Sequence, residues 1–202
     1  MRVQTARTDT ADRILDLAER LVQTRGFNGF SYADIASELG VTKASLHYHF
    51  PTKAELGLRL IERYSEAFMD ALAGVDETAI DAREKLRIYA DIYSGVLHDN
   101  RMCLCGMLAA DYATLPNSMK DAVTQFFDLN ERWLAAVLEQ GRSAGDLHFA
   151  GESLESARLL VSSLEGAMLL ARSFGDVSRF QSITDRLLGD LRASHQLAAP
   201  AG

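Results

Sequence analysis

The stretch S-Y-A-D-I-A-S-E-L-G-V-T-K-A-S-L-H-Y-H-F-P-T-K-A-E-L, residues 31–56, decides the fold, because it predicts two short helices joined by a tight turn. Ser31 suits the N-cap of the first helix, with Asp34 at its third helical position. Gly40 suits the left-handed residue that ends this helix, and Thr42 can cap a second helix two residues later. The stretch therefore predicts a helix-turn-helix.

The second helix of this motif carries the functional signal. Leu46 and Phe50 share its inward face on helical geometry. The opposite face carries hydrogen-bond donors, an aromatic ring and one small residue, namely Lys43, Ala44, Ser45, His47 and Tyr48. Such side chains fit the major groove of DNA, so we interpret this segment as a recognition helix.

The next helix begins beside the recognition helix and provides a possible anion site. Thr52 and Glu55 form a capping box, which places Lys53 at the first helical position. A cation is mildly unfavourable there, and a bound phosphate would reverse the sign. The alternative is a solvated Lys53 whose charge is balanced by Glu55.

Over residues 10–56 the chain resembles the N-terminal domain of the TetR family of bacterial transcriptional regulators. The resemblance rests on a helix ending R-G-F, followed by S-Y-A-D-I-A-S-E-L-G, V-T-K-A-S-L-H-Y-H-F and P-T-K-A-E-L. It implies phosphate contacts from Tyr48 and Lys53. His47 stands where the family often has Tyr, which leaves the base preference open. The residues expected to contact DNA are Ser31, Thr42, Lys43, Ala44, Ser45, His47, Tyr48 and Lys53.

The composition is typical of an ordinary soluble protein: 202 residues, of which 48% are hydrophobic and 24% charged. No apolar run approaches the roughly 20 residues of a membrane span, and no secretory signal is found. We therefore expect a cytoplasmic protein without a membrane partner. The net charge of −7 is unevenly distributed, because residues 1–53 carry +1 and residues 54–202 carry −8. DNA affinity is then expected to come from a few placed contacts.

The whole sequence predicts an all-α protein of about nine helices. Residues 10–25 form a first helix with one apolar face, which completes a three-helix helix-turn-helix DNA-binding domain over residues 1–51. Residues 52–202 are predicted to be helical, because no segment alternates with period two. The family resemblance implies that they form a ligand-binding and dimerisation domain. Its helices are expected over residues 52–73, 77–98, 103–113, 117–144, 152–174 and 177–194.

The last two predicted helices carry apolar side chains over too wide an arc for one neighbour to bury. We therefore expect a homodimer, which also lets two recognition helices read a pseudo-palindrome about one DNA turn apart. The family resemblance implies a four-helix dimer bundle at the same place. A well-buried monomer core is the alternative. The expected interface residues are Leu160, Leu164, Gly166, Ala167, Ile183, Leu187 and Leu191.

Aromatic and methionine side chains are frequent between the helix-turn-helix and the last two predicted helices. Such side chains suit an apolar pocket with a few polar anchors. The resemblance implies such a pocket for an unknown small-molecule effector. Binding there is expected to tilt the helix that begins at Thr52 and to release a repressor from its double-stranded DNA operator. No cofactor is expected. The expected ligand-binding residues are Tyr89, Tyr93, Met107, Tyr112, Phe126, Trp133 and Met168.

Cys103 and Cys105 lie in the segment R-M-C-L-C-G-M-L. At helical spacing their side chains diverge by about 200°, so a direct disulfide has poor geometry, and two thiols alone make an incomplete metal site. A thiolate at a helix N-terminus near Arg101 would respond to oxidants or electrophiles, so a thiol-based regulator is the alternative function. The simpler interpretation is that both residues pack a short helix.

An enzyme is not predicted, because the sequence contains no catalytic constellation. The five histidines are scattered, and neither a phosphate-binding glycine loop nor a nucleophile elbow is found. A DNA-binding architectural protein without a ligand is a third class. Ligand-dependent release from DNA would distinguish the regulator from it.

Overall fold

The computed structural model describes residues 2–191, with side chains described from residue 10. This part of the chain contains nine α-helices, two short 3-10 turns (Phe27–Gly29 and Tyr112–Thr114) and no β-strand, so the predicted all-α fold is confirmed. The helices are α1 (Arg2–Arg25), α2 (Tyr32–Leu39), α3 (Lys43–His49), α4 (Lys53–Thr78), α5 (Ala82–His98), α6 (Leu104–Ala110), α7 (Asn117–Ala144), α8 (Ser153–Phe174) and α9 (Ser178–Asp190).

The chain divides into two compact units. The first contains Met1–Asp70 and Asp99–Phe127, and the second contains Ala71–His98 and Asp128–Gly202. Helices α4 and α7 each have residues in both units. The helix-turn-helix therefore shares a unit with α6, and the predicted domain boundary at residue 51 stays a prediction.

Local chemistry explains where α2 and α3 begin and end. The backbone N–H of Ser31 donates to Asp34 Oδ2 at 2.7 Å, which satisfies a donor at the start of α2. Gly40 has φ of +67°, the left-handed conformation that closes a helix at little steric cost. Thr42 Oγ1 then accepts the Ser45 N–H at 3.2 Å and caps α3. The predicted helix-turn-helix is thus formed by the residues that predicted it.

An apolar core holds α1, α2 and α3 together in the first unit. Its fully buried side chains include Ile14, Ala18 and Val22 of α1, Ile35 of α2 and Leu46 of α3. Burial of each such Leu or Ile stabilises the fold by about 1.5–3 kcal/mol. This core leaves the opposite side of α3 exposed.

The segment around α6 also packs on α1 and on the turn that follows it. The Met102 N–H donates to the Gln23 carbonyl at 3.1 Å, and the Phe27 N–H donates to Asp111 Oδ2 at 2.8 Å. The Asn28 side chain also donates to Thr114 Oγ1 at 2.8 Å. Residues between 79 and 86 positions apart therefore fix the turn between α1 and α2.

In the second unit, α9 packs on α5 and α8. The buried side chains include Leu86 of α5, Leu160 and Met168 of α8 and Phe180 of α9. None of the described helices combines the length and apolar character needed to span a lipid bilayer.

Several predicted helix bounds differ from the structure. Helix α1 begins at Arg2 and not at residue 10, α5 begins at Ala82 and not at residue 77, and α6 ends at Ala110 and not at residue 113. The expected break at Gly74 is wrong: α4 continues to Thr78, because Val75 is buried and keeps the next turn attached to the core. Helix α9 ends at Asp190, whereas the prediction extended to residue 194. Residues 192–194 of that predicted helix lie outside the described residues.

Candidate nucleic-acid interface

Helix α3 presents a polar surface on the side away from its core contact. Leu46 is fully buried and anchors the helix, while Tyr48 is 59% exposed. The predicted contacts from Thr42 to Tyr48 therefore come together on one accessible surface. They are Thr42, Lys43, Ala44, His47 and Tyr48, which are exposed, and Ser45, which is half-buried.

The imidazole of His47 is held from two sides although the side chain is exposed. Its Nδ1 lies 3.0 Å from the Pro51 carbonyl oxygen. Its ring lies against the Tyr32 ring, with centroids 4.9 Å apart and planes at 51°. The Tyr32 hydroxyl donates to the Phe50 carbonyl at 2.8 Å, and burial, with a smaller effect of the Glu55 charge, raises the pKa of Tyr32 to about 12. Tyr32 is thus a protonated, fixed support for His47.

Ser31 lies outside α3, at the exposed N-cap of α2. Its hydroxyl and its backbone N–H both donate to Asp34 Oδ2, at 2.7 Å each. These bonds hold the pKa of the Asp34 carboxyl below its usual range. Because a hydroxyl has one hydrogen to donate, Ser31 must leave Asp34 before its hydroxyl can donate to a phosphate.

Lys53 is placed differently from the prediction of an ammonium presented beside the recognition helix. Its Nζ donates to the carbonyl oxygens of Phe27 and Phe30, each at 2.5 Å. The ammonium also lies over both phenylalanine rings, 4.7 and 4.1 Å from their centroids. Burial lowers the pKa of Lys53, and the carboxylates of Asp111 and Asp34 act in the opposite direction. We call this arrangement of Lys53, Phe27 and Phe30 the Lys53 clamp.

Asp111 is a residue near this interface that sequence reasoning missed. Its carboxylate accepts the Phe27 N–H, and a Cβ atom built at Gly26 would lie 3.0 Å from Asp111 Oδ2. Gly26 has φ of +79°, so this turn requires glycine both for its backbone and for the close approach. A hydrogen bond between residues 84 positions apart leaves no periodic signal in a sequence.

The two cysteines lie at the start of α6 in the first unit, and both are buried thiols. Cys103 Sγ accepts hydrogen bonds from the Gly106 N–H at 3.4 Å and from the Tyr64 hydroxyl at 3.9 Å. Cys105 is fully buried within α6. Among the residues that the structure describes, no group of His, Cys, Asp and Glu is arranged to hold a metal ion.

The predicted ligand-binding residues fall into both units. Tyr89, Tyr93, Trp133 and Met168 belong to the second unit, and Met107, Tyr112 and Phe126 belong to the first. In the second unit, Tyr89 stacks on Trp133 with centroids 5.7 Å apart and donates to Asn130 Oδ1 at 3.1 Å, and Trp133 Nε1 donates to Asp76 at 2.9 Å.

The three candidates in the first unit have different surroundings. Phe126 is buried against Phe68, with centroids 5.3 Å apart, and Met107 is half-buried. Tyr112 is exposed, with the Lys120 ammonium 5.0 Å from its ring centroid. A groove of about 560 Å³ in the second unit, floored by Leu86, is not lined by any predicted ligand residue.

Helix α8 is apolar on two sides, as expected for a helix with two sets of neighbours. Leu160, Leu164 and Ala167 were predicted at the dimer interface, but they are at most 4% exposed and pack inside the protomer. The proposed interface therefore uses exposed residues of α8 in place of these three. Ile183, Leu187 and Leu191 are half-buried and Gly166 is exposed. The outer face of α8, which we define as Leu159, Gly166, Leu169, Leu170 and Phe174, has leucine and phenylalanine side chains that are 51–63% exposed.

Comparison with known proteins agrees with this architecture. The family model of bacterial regulatory proteins of the tetR family matches residues 14–60, and that of the tetracyclin repressor-like C-terminal domain matches residues 82–187. The HTH-type transcriptional repressor NemR of Escherichia coli (strain K12) is 27% identical over 171 residues, which cover 81% of this chain and 84% of NemR.

Solved structures give the same result. A TetR-family transcriptional regulator from Agrobacterium tumefaciens is 34% identical, with a TM-score of 0.90 over 93% of this chain and 100% of that chain. A TetR transcriptional regulator from Legionella pneumophila is also 34% identical, with a TM-score of 0.82 over 89% of this chain and 96% of that chain. The chain therefore belongs to the TetR family of bacterial transcriptional regulators, DNA-binding proteins that act as dimers.

Proposed function

We propose that this protein is a ligand-responsive repressor that a small-molecule inducer releases from a pseudo-palindromic operator. The observation that carries the DNA-binding part is the exposed polar face of α3, which is anchored from behind by the buried Leu46. A C-terminal region that matches a repressor-like domain over residues 82–187 supports the regulatory part.

The exposed residues of α3 suit separate roles in DNA binding. The Tyr48 hydroxyl and the Lys43 ammonium donate hydrogen bonds to phosphates or base edges, and Ala44 lets the helix approach the groove closely. Thr42 and Ser45 add hydroxyl groups at the N-terminal end of α3. Lys53 contributes through its backbone amide at the start of α4, because its ammonium is held in the Lys53 clamp.

Dimerisation through the outer face of α8 would supply the second recognition helix. Leu159, Gly166 and Leu170 follow one line along this helix at spacings of seven and four residues. The missing side chain at Gly166 permits close approach of a symmetry-related helix, since a Cβ there has open space around it. Leu169 and Phe174 flank this line. A two-fold axis here buries apolar groups that a monomer leaves in water.

Ligand response is proposed to pass along α4. This helix is continuous from Lys53 to Thr78, and its capping box is formed by hydrogen bonds between Thr52 and Glu55 at 3.1 and 3.3 Å. A shift of its C-terminal part would move its N-terminus, where the Lys53 clamp joins it to the turn before α2. The predicted ligand-binding residues remain proposed effector contacts, each within its own unit.

The test is fluorescence anisotropy with labelled DNA from immediately upstream of the gene, compared with an unrelated duplex of equal length. We expect tighter binding to the upstream DNA, and its loss in Tyr48→Ala. Tyr112→Ala, assayed without effector because Tyr112 is a proposed effector contact, is the matched control, since Tyr112 is a similarly exposed tyrosine of the same unit outside α3. Equal loss in both variants, or binding unaffected by Tyr48→Ala, would contradict the proposed interface.

A thiol-based signal is the second candidate, and the two donors on Cys103 Sγ favour it. The Gly106 N–H and the Tyr64 hydroxyl both stabilise negative charge on this sulfur. A thiolate would add to the alkene carbon of N-ethylmaleimide, forming a C–S bond, and the adjacent carbon would take a proton from water. Release from DNA that is abolished in Cys103→Ser and retained in Cys105→Ser would support sensing. Release that survives in both variants would end the idea.

A further inference from the structure

The hydrogen bond between His47 and Pro51 fixes which imidazole nitrogen carries hydrogen. The Pro51 carbonyl oxygen, 3.0 Å from Nδ1, has no hydrogen to donate, so Nδ1–H is the donor. A neutral imidazole has one N–H, and Nε2 is therefore a hydrogen-bond acceptor. Among the residues that the structure describes, Nε2 makes no hydrogen bond. The exposed edge of His47 is thus a single acceptor in a fixed orientation.

We infer that His47 is a specificity-determining residue that uses Nε2 to accept a hydrogen bond from adenine N6 or cytosine N4 in the major groove. This inference rests on the proposed reading of DNA by α3. Adenine and cytosine present an exocyclic amino donor there, whereas guanine and thymine present oxygen acceptors. An acceptor facing an acceptor is repulsive, so the same geometry selects against guanine and thymine.

The ring is oriented before DNA arrives, which makes the preference a property of the protein. Tyr32 supports one face of the imidazole, and Pro51 holds its Nδ1 edge. The supports are themselves fixed, since Tyr32 bonds to the Phe50 carbonyl and both carbonyls belong to the turn between α3 and α4. A preorganised contact loses little side-chain entropy on binding and therefore discriminates more strongly between bases.

Replacement by asparagine separates the two nitrogen positions. The amide N–H of His47→Asn lies near the place of Nδ1 and keeps the bond to Pro51, while the amide oxygen lies near the place of Cδ2 and does not reach the position of Nε2. The full-length wild type and this variant would each select duplexes from a random-sequence library at about pH 8, where an imidazole is ordinarily neutral. Long-range ¹H–¹⁵N spectra of the wild type would identify the protonated nitrogen of His47 independently.

In the wild type we expect adenine or cytosine at one position of each half-site, mirrored by the two-fold axis. Guanine or thymine at that position should weaken binding by about 5- to 150-fold. His47→Asn should lose the preference at this position alone, with the rest of the motif unchanged. The spectra should show hydrogen on Nδ1.

Three results would overturn the inference. One is selection of the same motif by wild type and His47→Asn, and another is hydrogen on Nε2 in the spectra. The third is a mirrored guanine that the variant no longer requires, because that would make His47 a donor. A wild type that enriches no sequence at all would instead remove the proposed reading of DNA by α3, and the inference with it.

Discussion

The Lys53 clamp leads to a prediction that separates a structural lysine from a phosphate-binding one. Lys53→Met keeps most of the aliphatic stem but removes the ammonium that bonds the Phe27 and Phe30 carbonyls. The turn between α1 and α2 then loses its attachment to the start of α4. We therefore expect the first unit to be less stable, with little change in the electrostatic part of DNA binding.

The magnitude follows from the contacts that are lost. A hydrogen bond to a charged group contributes about 1.5–3 kcal/mol, and a cation–π contact near the surface contributes about 0.5–1 kcal/mol. The substitution also removes the cost of desolvating the ammonium, whose burial lowers its pKa. We therefore expect a loss below the sum of these contacts, at about 2–3 kcal/mol.

The assay combines urea denaturation, followed by circular dichroism at fixed protein concentration, with DNA binding over a range of salt concentrations. Each phosphate contact contributes about 0.9 to the slope of log K against log salt, so losing one per protomer would change the slope by about 1.8 per dimer. Lys53→Met should leave the slope unchanged. Lys43→Met, which removes an exposed lysine of α3, should change the slope and leave stability unchanged. A slope that changes in Lys53→Met without a loss of stability would refute the clamp.

Three further predictions concern other parts of the molecule. Leu170→Glu places a charge on the outer face of α8 and should give monomers in light scattering after gel filtration, and persistent dimers would contradict the proposed interface. The pKa of Tyr32 is raised to about 12 from an ordinary 10.0, so the folded state holds this proton more tightly than the unfolded state does. The contribution of Tyr32 to the free energy of unfolding is therefore complete below pH 10 and is lost as the pH rises towards 12. Tyr32→Phe should lose less of its free energy of unfolding between pH 10 and pH 12 than the wild type does. An equal loss in the two proteins would contradict this prediction. Gly141→Ala should destabilise the protein by about 1–3 kcal/mol, because the new Cβ would lie 2.5 Å from Leu147 Cδ1. Gly74→Ala has open space around the new Cβ and should stabilise the protein by up to about 1 kcal/mol. Equal melting temperatures of the two variants would contradict this contrast.

The helices and the exposed polar face of α3 were predictable because caps and apolar periodicity act within a few residues of sequence. A cap such as Thr42 acts three residues ahead, and the buried Leu46 fixes which side of α3 faces out. The helical arc of α8 likewise indicated two apolar faces. The sequence did not show which of these faces the protomer uses itself, because Leu160 and Leu159 are adjacent and equally apolar. That choice depends on where α5 and α9 pack.

From its sequence alone, the chain determined the helix-turn-helix, the all-α class and a resemblance over residues 10–56, since these depend on periodicity and caps within a few residues. Only the tertiary structure decided where charged and polar groups point. Lys53 is drawn to two backbone carbonyls more than 20 residues away, and the Phe27 N–H is bound by Asp111. The tautomer of His47 was decided by the carbonyl of Pro51. Such bonds depend on distance and direction in space, which the fold sets and no short-range pattern records.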